Sequence, residues 1–387
     1  MSMDIANRID RVEPSATLAI SSLATQLSAD GADVVDLSVG QPDVATPEPI
    51  TTAGKEAMDA GHTGYTSPAG IAPLREAIAS KLHKDGLNYE SEQIIVTPGA
   101  KQALYEIFQT VVDDGDEVVL LDPAWVSYEA MGKLAGASLR RVDLTAHNFE
   151  LEPALGDLGE TMSDETTLLV VNTPSNPTGV VYTESALAGV RDLAVDHDVT
   201  VISDEIYERI TYGERPRSMA TFDGMHDRTI TVNGFSKTYS MTGWRLGYFA
   251  GPQRVIDAAS KLQSHSVSCA TNFVQHAGIA ALECADPAVT DMVEEFERRR
   301  DHLVDRLRDA GVAIPTVPDG AFYLMVPVVG NDTETCEAAI EDAHVATTPG
   351  SAFGAPGYAR LSYANSVERI DEAIDRLLEI AYFQIDD

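Results

Sequence analysis

Between about residue 90 and residue 250, short apolar runs alternate with stretches whose apolar positions recur at helical spacing. That alternation predicts an α/β fold, a mostly parallel sheet flanked by helices. Five runs read as strands: Ile94 to Thr97, Val118 to Leu121, Leu168 to Val171, Thr200 to Ser203 and Thr229 to Val232. They are short, rich in β-branched residues and nearly wholly apolar, as strands covered on both faces are. A helical pattern, Ala103 to Val112, follows the first run.

Beyond residue 285 the helical periods lengthen. One spans Asp291 to Ala310 and stops at Gly311; another spans Ser366 to Phe383, with Val367, Ile370, Ile374, Leu377 and Leu378 on one stripe and Ser366 placed to cap it. Gly320 to Val326 and Arg360 to Tyr363 read as strands of a smaller sheet, and the N-terminal stretch is led by a helix from Ala16 to Ser28. A chain of 387 residues exceeds what one compact domain usually holds. The expected division is a large domain over residues 46–285 and a smaller α+β domain made of residues 1–45 with 286–387.

Composition narrows the function. With 61 acidic against 27 basic residues, the net charge is −34, and the acid is spread over the whole chain. Such a field repels nucleic acid and anionic membranes. Spread acid also fits a salt-rich, halophilic setting, where screening relieves the self-repulsion. No run of 18 apolar residues occurs and the stretch Met1 to Glu13 is polar, so neither a membrane span nor a signal peptide is expected and the cytoplasm is the expected location. Cys269, Cys284 and Cys336 match neither a disulfide framework nor a metal spacing.

The polar groups that stand out follow the strand candidates, where open parallel sheets bind ligands. Lys237, one of seven lysines, lies in Gly234-Phe-Ser-Lys-Thr-Tyr-Ser-Met-Thr-Gly-Trp-Arg-Leu-Gly247. An amine there can condense with an aldehyde, and Arg245 offers a planar fork suited to phosphate oxygens. Together they suit pyridoxal 5'-phosphate. Gly99 and the N–H groups of Ala100 and Lys101, at a helix start, suit the same phosphate, although a glycine there also serves as a plain turn. Trp125 can lie flat on a pyridine ring or be core. Asn176, before Pro177, is held extended with its amide free to donate. Asp204 is the first carboxylate after an apolar run, and a protonated pyridine nitrogen would be its partner; a helix N-cap is the other reading.

The unbroken stretch from Gly234 to Gly247 resembles the lysine signature of the class I, fold-type I, pyridoxal-phosphate-dependent aminotransferases. The likeness runs from Pro14 to the last helix and is greatest to the bacterial and archaeal aspartate aminotransferase branch. It implies that Lys237 bonds to the cofactor and later moves the substrate proton, and that Asp204 pairs with the ring nitrogen. Tyr207 and Asn176 would hold the ring oxygen, Trp125 would stack, and Ser236, Arg245 and the N–H groups near Ala100 would grip the phosphate. Tyr65 would reach the phosphate of a neighbouring subunit, making a homodimer with shared active sites. Arg360 and the Gly40 backbone would hold the substrate α-carboxylate, with Trp125 and Asn176 also beside the substrate, and Thr17 and Lys101 would read the distal carboxylate of aspartate.

Two departures stand out: Gly234 where many relatives carry serine, and Glu13 where the residue before Pro14 is often basic. The implied reaction is transfer of an amino group from an L-amino acid, aspartate first, to 2-oxoglutarate. Aromatic amino acids, alanine and prephenate are the alternatives. β-Lyase or decarboxylase chemistry has no distinguishing mark here, and a cofactor-binding regulator lacks both a DNA-binding module and a suitable charge.

Overall fold

Each apolar run predicted between residues 94 and 232 forms a strand, and most extend one or two residues further as the sequence turns polar. The structure, a computed structural model, describes residues 4–385, apart from the side chains at positions 16 and 17. In chain order the strands are β1 (Val35–Asp36), β2 (Ile94–Thr97), β3 (Glu117–Asp122), β4 (Ser138–Asp143), β5 (Thr166–Asn172), β6 (Thr200–Asp204), β7 (Thr229–Gly234), β8 (Gly247–Ala250), β9 (Tyr323–Pro327), β10 (Val345–Ala346), β11 (Thr348–Pro349) and β12 (Tyr358–Ser362).

A seven-stranded sheet has the order β2-β8-β7-β6-β5-β3-β4. All its strands run parallel except β8, which is antiparallel to both its neighbours. β4 and β8 escaped the sequence reading for different reasons. β4, Ser-Leu-Arg-Arg-Val-Asp, is an edge strand with most of its side chains exposed or half-exposed, so it lacks the apolar run of a covered strand. β8 follows β7 through the Lys237 loop, with Gly234 opposite Gly247, and its register is set by that loop.

The apolar side chains of β3, β5 and β6 alternate between two cores, one on each face of the sheet. Val119, Leu121, Leu169 and Val201 pack on one side, and Val118, Leu120, Leu168 and Ile202 on the other. Parallel strands buried in this way need helices on both faces. Further helices not read from the sequence, Glu48–Asp59, Ala72–Lys84, Gln253–Ser266 and Asn272–Cys284, complete the layers.

The C-terminal part is organised around a helix at Asp286–Asp309 and a three-stranded antiparallel sheet, β11-β12-β9. The helix begins more than a turn before the predicted start because Pro287, in its first turn, has no N–H needing a partner. The last helix, Val367–Glu379, is capped as predicted by Ser366, whose Oγ accepts from Arg369 N. It ends before Phe383, which instead bridges to Val328. β1 pairs with β10, so the N-terminal segment does pack with the C-terminal part, and Val35 and Leu37 join Leu324, Leu361 and Ile374 in one core. No helix among the described residues is long and apolar enough to cross a membrane.

Candidate active site

The carboxyl ends of β2, β5, β6 and β7 converge on a cavity of about 480 Å³ closed on the other side by residues 38–41, Tyr323 and Arg360. Gly40, Ala100, Lys101, Trp125, Asn176, Asp204, Tyr207, Ser236, Lys237, Arg245 and Arg360 all line it. Gly99 sits just behind. Three predicted residues need separate comment. Tyr65 is 91% exposed and lines no wall of this chain's own cavity. The Thr17 side chain lies outside the described residues. Glu13, whose charge was wrong for gripping a substrate carboxylate, is exposed.

Lys237 follows β7 and its amine sits among buried groups, where Nζ donates to the Gly40 carbonyl oxygen. Burial, followed by the charges of Arg360, Arg245 and Lys101, lowers its pKa to about 7, with Asp204 opposing them. A substantial neutral fraction therefore exists at neutral pH, as a nucleophilic amine requires. Asp204 ends β6, 3% exposed, and its pKa is raised to about 6 by burial. Its Oδ2 accepts from Tyr128 Oη at 2.6 Å and its Oδ1 from Ile206 N at 3.2 Å. No helix begins there, which removes the N-cap reading. On the neighbouring strand, in register with Asp204, Asn172 donates from Nδ2 to the Asp204 carbonyl at 2.9 Å and accepts from Asn176 N at 2.8 Å.

Backbone approaches backbone where the phosphate would rest. Gly99, φ +89, precedes the helix Ala100–Val111, and a Cβ at Gly99 would lie 2.6 Å from Arg245 Nη2. A Cβ at Gly247 would strike Ala100 N. Only glycine allows these contacts. Arg245 itself adopts φ +55, a strained conformation for a non-glycine residue, and Nη1 is held by the Thr242 carbonyl at 2.8 Å. The first-turn N–H groups of that helix, Ser236 and Arg245 thus surround one place with donors and positive charge, which suits a phosphate. A Cβ at Gly234 would lie 3.1 Å from Ile206 Cδ1 and 3.3 Å from the Gly247 Cα and the Leu246 carbonyl, so a side chain there needs these neighbours to give by a few tenths of an ångström. A serine would crowd β8.

Arg360 is 3% exposed on β12. Its Nη1 donates to Asn176 Oδ1 at 2.9 Å and its Nη2 to the Ser38 carbonyl at 2.7 Å, and its guanidinium lies 4.5 Å from the Tyr323 ring centroid. Nε has no partner, and although the charge of Asp36 acts on it, among the described residues no carboxylate forms an ion pair with this buried cation. A buried charge without a counter-ion is costly, so the arrangement favours an anionic ligand. Arg360 also fixes the Asn176 amide, occupying its carbonyl and leaving the NH2 to donate. Tyr207, whose hydroxyl burial keeps protonated, shares a 2.9 Å hydrogen bond with Tyr323. Lys101 Nζ stands 4.7 Å from the Trp125 ring, its pKa lowered by burial and by Arg245.

The sequence reading missed Tyr128, Asn172 and Tyr323 as site residues. Tyr128 was the most legible, since it stands three residues after Trp125 at helical spacing and its ring meets the indole edge-on at 5.3 Å.

An amine of lowered pKa, a buried carboxylate, a donor-lined phosphate cradle and an unpaired guanidinium around one cavity define a pyridoxal-phosphate enzyme acting on carboxylate substrates. The chain belongs to the class I and II aminotransferase family, whose model matches residues 32–377. The aspartate aminotransferase of Bacillus subtilis is 40% identical over 388 residues, covering 97% of this chain and 98% of the relative. The aspartate/prephenate aminotransferase of Thermus thermophilus is 39% identical, covering 97% and 98%. The solved Thermus thermophilus aspartate aminotransferase with maleate superposes with a TM-score of 0.94 at 38% identity, covering 98% of this chain and all of that one. The protein is a transaminase, and pyridoxal 5'-phosphate is its cofactor.

Proposed function

We propose that this transaminase takes its amino group from aspartate and passes it to 2-oxoglutarate. The observation that carries the proposal is Arg360, a buried guanidinium without an ion-pair partner among the described residues, with a second cation, Lys101, in the same cavity. Two cations suit a substrate with two carboxylates. Similarity to relatives named for aspartate supports the same choice.

The bound cofactor supplies an aldehyde and an electron-accepting ring. Lys237 would provide the amine that bonds to it and, when free, would hold and move the proton at the substrate Cα. Asp204 would keep the ring nitrogen protonated, while Tyr207 and Asn176 would donate to the ring oxygen. Trp125 would stack on the ring, and Gly99, Ala100, Lys101, Ser236 and Arg245 would hold the phosphate. Arg360 and the Gly40 backbone hold the α-carboxylate, and Lys101 with Thr17 the distal one.

The site is shared in a homodimer. Tyr65 supports this: its segment is anchored, with Gly64 O accepting from Asn272 Nδ2 at 3.1 Å and Thr66 N donating to Cys269 Sγ at 3.4 Å, yet its ring points to solvent. The chain divides into a large domain, 46–285, and a small one, 1–45 with 286–387, as the separate sheets support. The excess acid supports a salt-rich cytoplasm as the working environment.

A panel of donors in high salt tests the substrate: aspartate, alanine, phenylalanine, tyrosine and glutamate with prephenate as acceptor. The expected result is a kcat/KM for aspartate at least about tenfold above the others. A higher value for an aromatic donor or for prephenate as acceptor would overturn the aspartate assignment and leave transamination standing.

A further inference from the structure

Residues 37–46 form no helix or strand, yet this loop touches two of the site's cations, Lys237 and Arg360. The Ser38 carbonyl accepts from Arg360, and the Gly40 carbonyl accepts from Lys237. There is little room for adjustment: a Cβ at Gly40 would lie 3.1 Å from Tyr323 Oη. The loop's first residue is tied to the small sheets, Leu37 N donating to the Ala346 carbonyl and the Leu37 carbonyl accepting from Ser362 N, both at 2.8 Å; beyond it the loop takes its position from whatever pins it.

On one side the pins come from the segment after Lys237. Thr242 Oγ1 donates to Gln41 Oε1 at 3.2 Å, Thr46 Oγ1 donates to the Ser240 carbonyl at 2.6 Å, and Trp244 Nε1 donates to Thr46 Oγ1 at 3.1 Å. On the other side stands Arg299, on the helix Asp286–Asp309. Its side chain is 8% exposed, Nη1 donates to Asp43 Oδ1 at 2.8 Å, and Nε donates to Glu295 Oε1 at 2.8 Å. Glu295 orients the guanidinium and Asp43 receives it. Arg299 also lies 5.8 Å from the Phe296 ring, which packs at 5.3 Å on Phe322 and through it on Tyr207 and Tyr323.

We propose that Arg299 is a positioning residue for substrate, acting through Asp43 to fix the Gly40 loop against Arg360. The inference rests on the carboxylate-binding role given above to Arg360 and Gly40. A carboxylate held by Arg360 packs against this loop, so the placement of Asp43 sets the gap between guanidinium and loop. The pair also cancels an anion three residues from the substrate-binding backbone, in a chain already rich in acid. The loop meets the Lys237 amine through Gly40 and the Arg245 segment through Gln41 and Thr242, but it gives no donor of its own to the phosphate cradle, so substrate affinity should respond more than cofactor retention.

The test uses holoenzyme carrying Arg299→Gln, Asp43→Asn, or both; Asp43→Asn is the safer fold, since its side chain is 30% exposed. Each single variant should raise KM for aspartate and Kd for maleate about tenfold, with kcat changed less than about twofold and cofactor retained through dialysis, and the double variant should be no worse than either single. Arg299→Lys should recover part of the loss. Unchanged KM and Kd with only a lower Tm, additive losses, or loss of cofactor would overturn the inference. A wild-type protein that neither transaminates aspartate nor binds maleate would instead overturn the substrate assignment.

Discussion

Tyr128 links two groups of the candidate site: its hydroxyl donates to Asp204 Oδ2 at 2.6 Å while its ring meets Trp125 edge-on at 5.3 Å. The hydrogen bond favours the ionised carboxylate and works against the burial that raises the Asp204 pKa to about 6. Tyr128→Phe keeps the ring contact and removes the bond. The Asp204 pKa should therefore rise, and the acid limb of the kcat profile should move to higher pH. A bond to a charged group is worth about 1.5–3 kcal/mol, so kcat near neutral pH should fall roughly tenfold. Superimposable profiles would show that the ring nitrogen ignores this tyrosine.

The lowered pKa of Lys237 predicts how cofactor is captured. Below about pH 7 the amine is mostly protonated and cannot attack; above it the neutral form dominates. Cofactor-free enzyme mixed with pyridoxal phosphate should form the covalent link at a rate that rises with pH and levels off above pH 8, read as the change in absorbance. Lys237→Ala should still bind cofactor through Asp204, Arg245 and the helix N-terminus, with turnover down by about 10³-fold or more. Substantial residual turnover would remove Lys237 from the chemistry.

Glu106 predicts a pH-dependent stability unrelated to catalysis. It is fully buried in the helix Ala100–Val111, and one oxygen accepts from Gln102 at 2.8 Å. Burial raises its pKa from 4.5 to about 7. Because the folded value lies above the unfolded one, folding is favoured while the group is protonated, and that advantage is lost as pH rises from 4.5 through 7. At pH 8 the buried charge should cost about 3 kcal/mol. Glu106→Gln should be the more stable protein at pH 8 and lose the advantage by pH 5, as denaturant unfolding at both values would reveal.

The 34 uncompensated negative charges predict a salt response. Among the described ion pairs many are exposed, such as Arg217 with Glu184 and Arg298 with Glu295, and contribute little individually. The net repulsion has a longer reach and shrinks as the Debye length falls. Raising KCl from about 0.1 to about 3 M should lift Tm by about 5 °C or more. A flat or falling Tm would remove salt adaptation as the reason for the charge.

Much of this site was legible because its residues fall at or just beyond the ends of apolar runs, where period and polarity change together. Asp204 and Asn176 stand out against the sequence around them, and Lys237 stands out in a lysine-poor chain. Tyr128, Asn172 and Tyr323 do not, since a tyrosine in a helix or strand reads as core and the asparagine closing β5 reads as the start of a loop. What they do depends on register and crossing: Asn172 meets Asp204 only because β5 and β6 lie side by side. The Arg299 contact spans 256 residues of sequence, and Arg299 stands among three consecutive arginines on a helix with nothing local to single it out. β4 was hidden by its exposed polar side chains, and β8 by its shortness within a glycine-bracketed loop.

The return of β8 against β7 leaves the chain little freedom to evolve in length there. Gly234 faces Gly247, and within that hairpin lie both Lys237 and Arg245. One inserted residue would slip the pairing or push Arg245 away from Gly99, so amine and guanidinium share a ruler of fixed length. Between Thr211 and Ser218, by contrast, the chain is irregular and reaches the surface at Gly213 to Arg215. Inserted or deleted residues should be tolerated in that outer loop and rejected inside the hairpin.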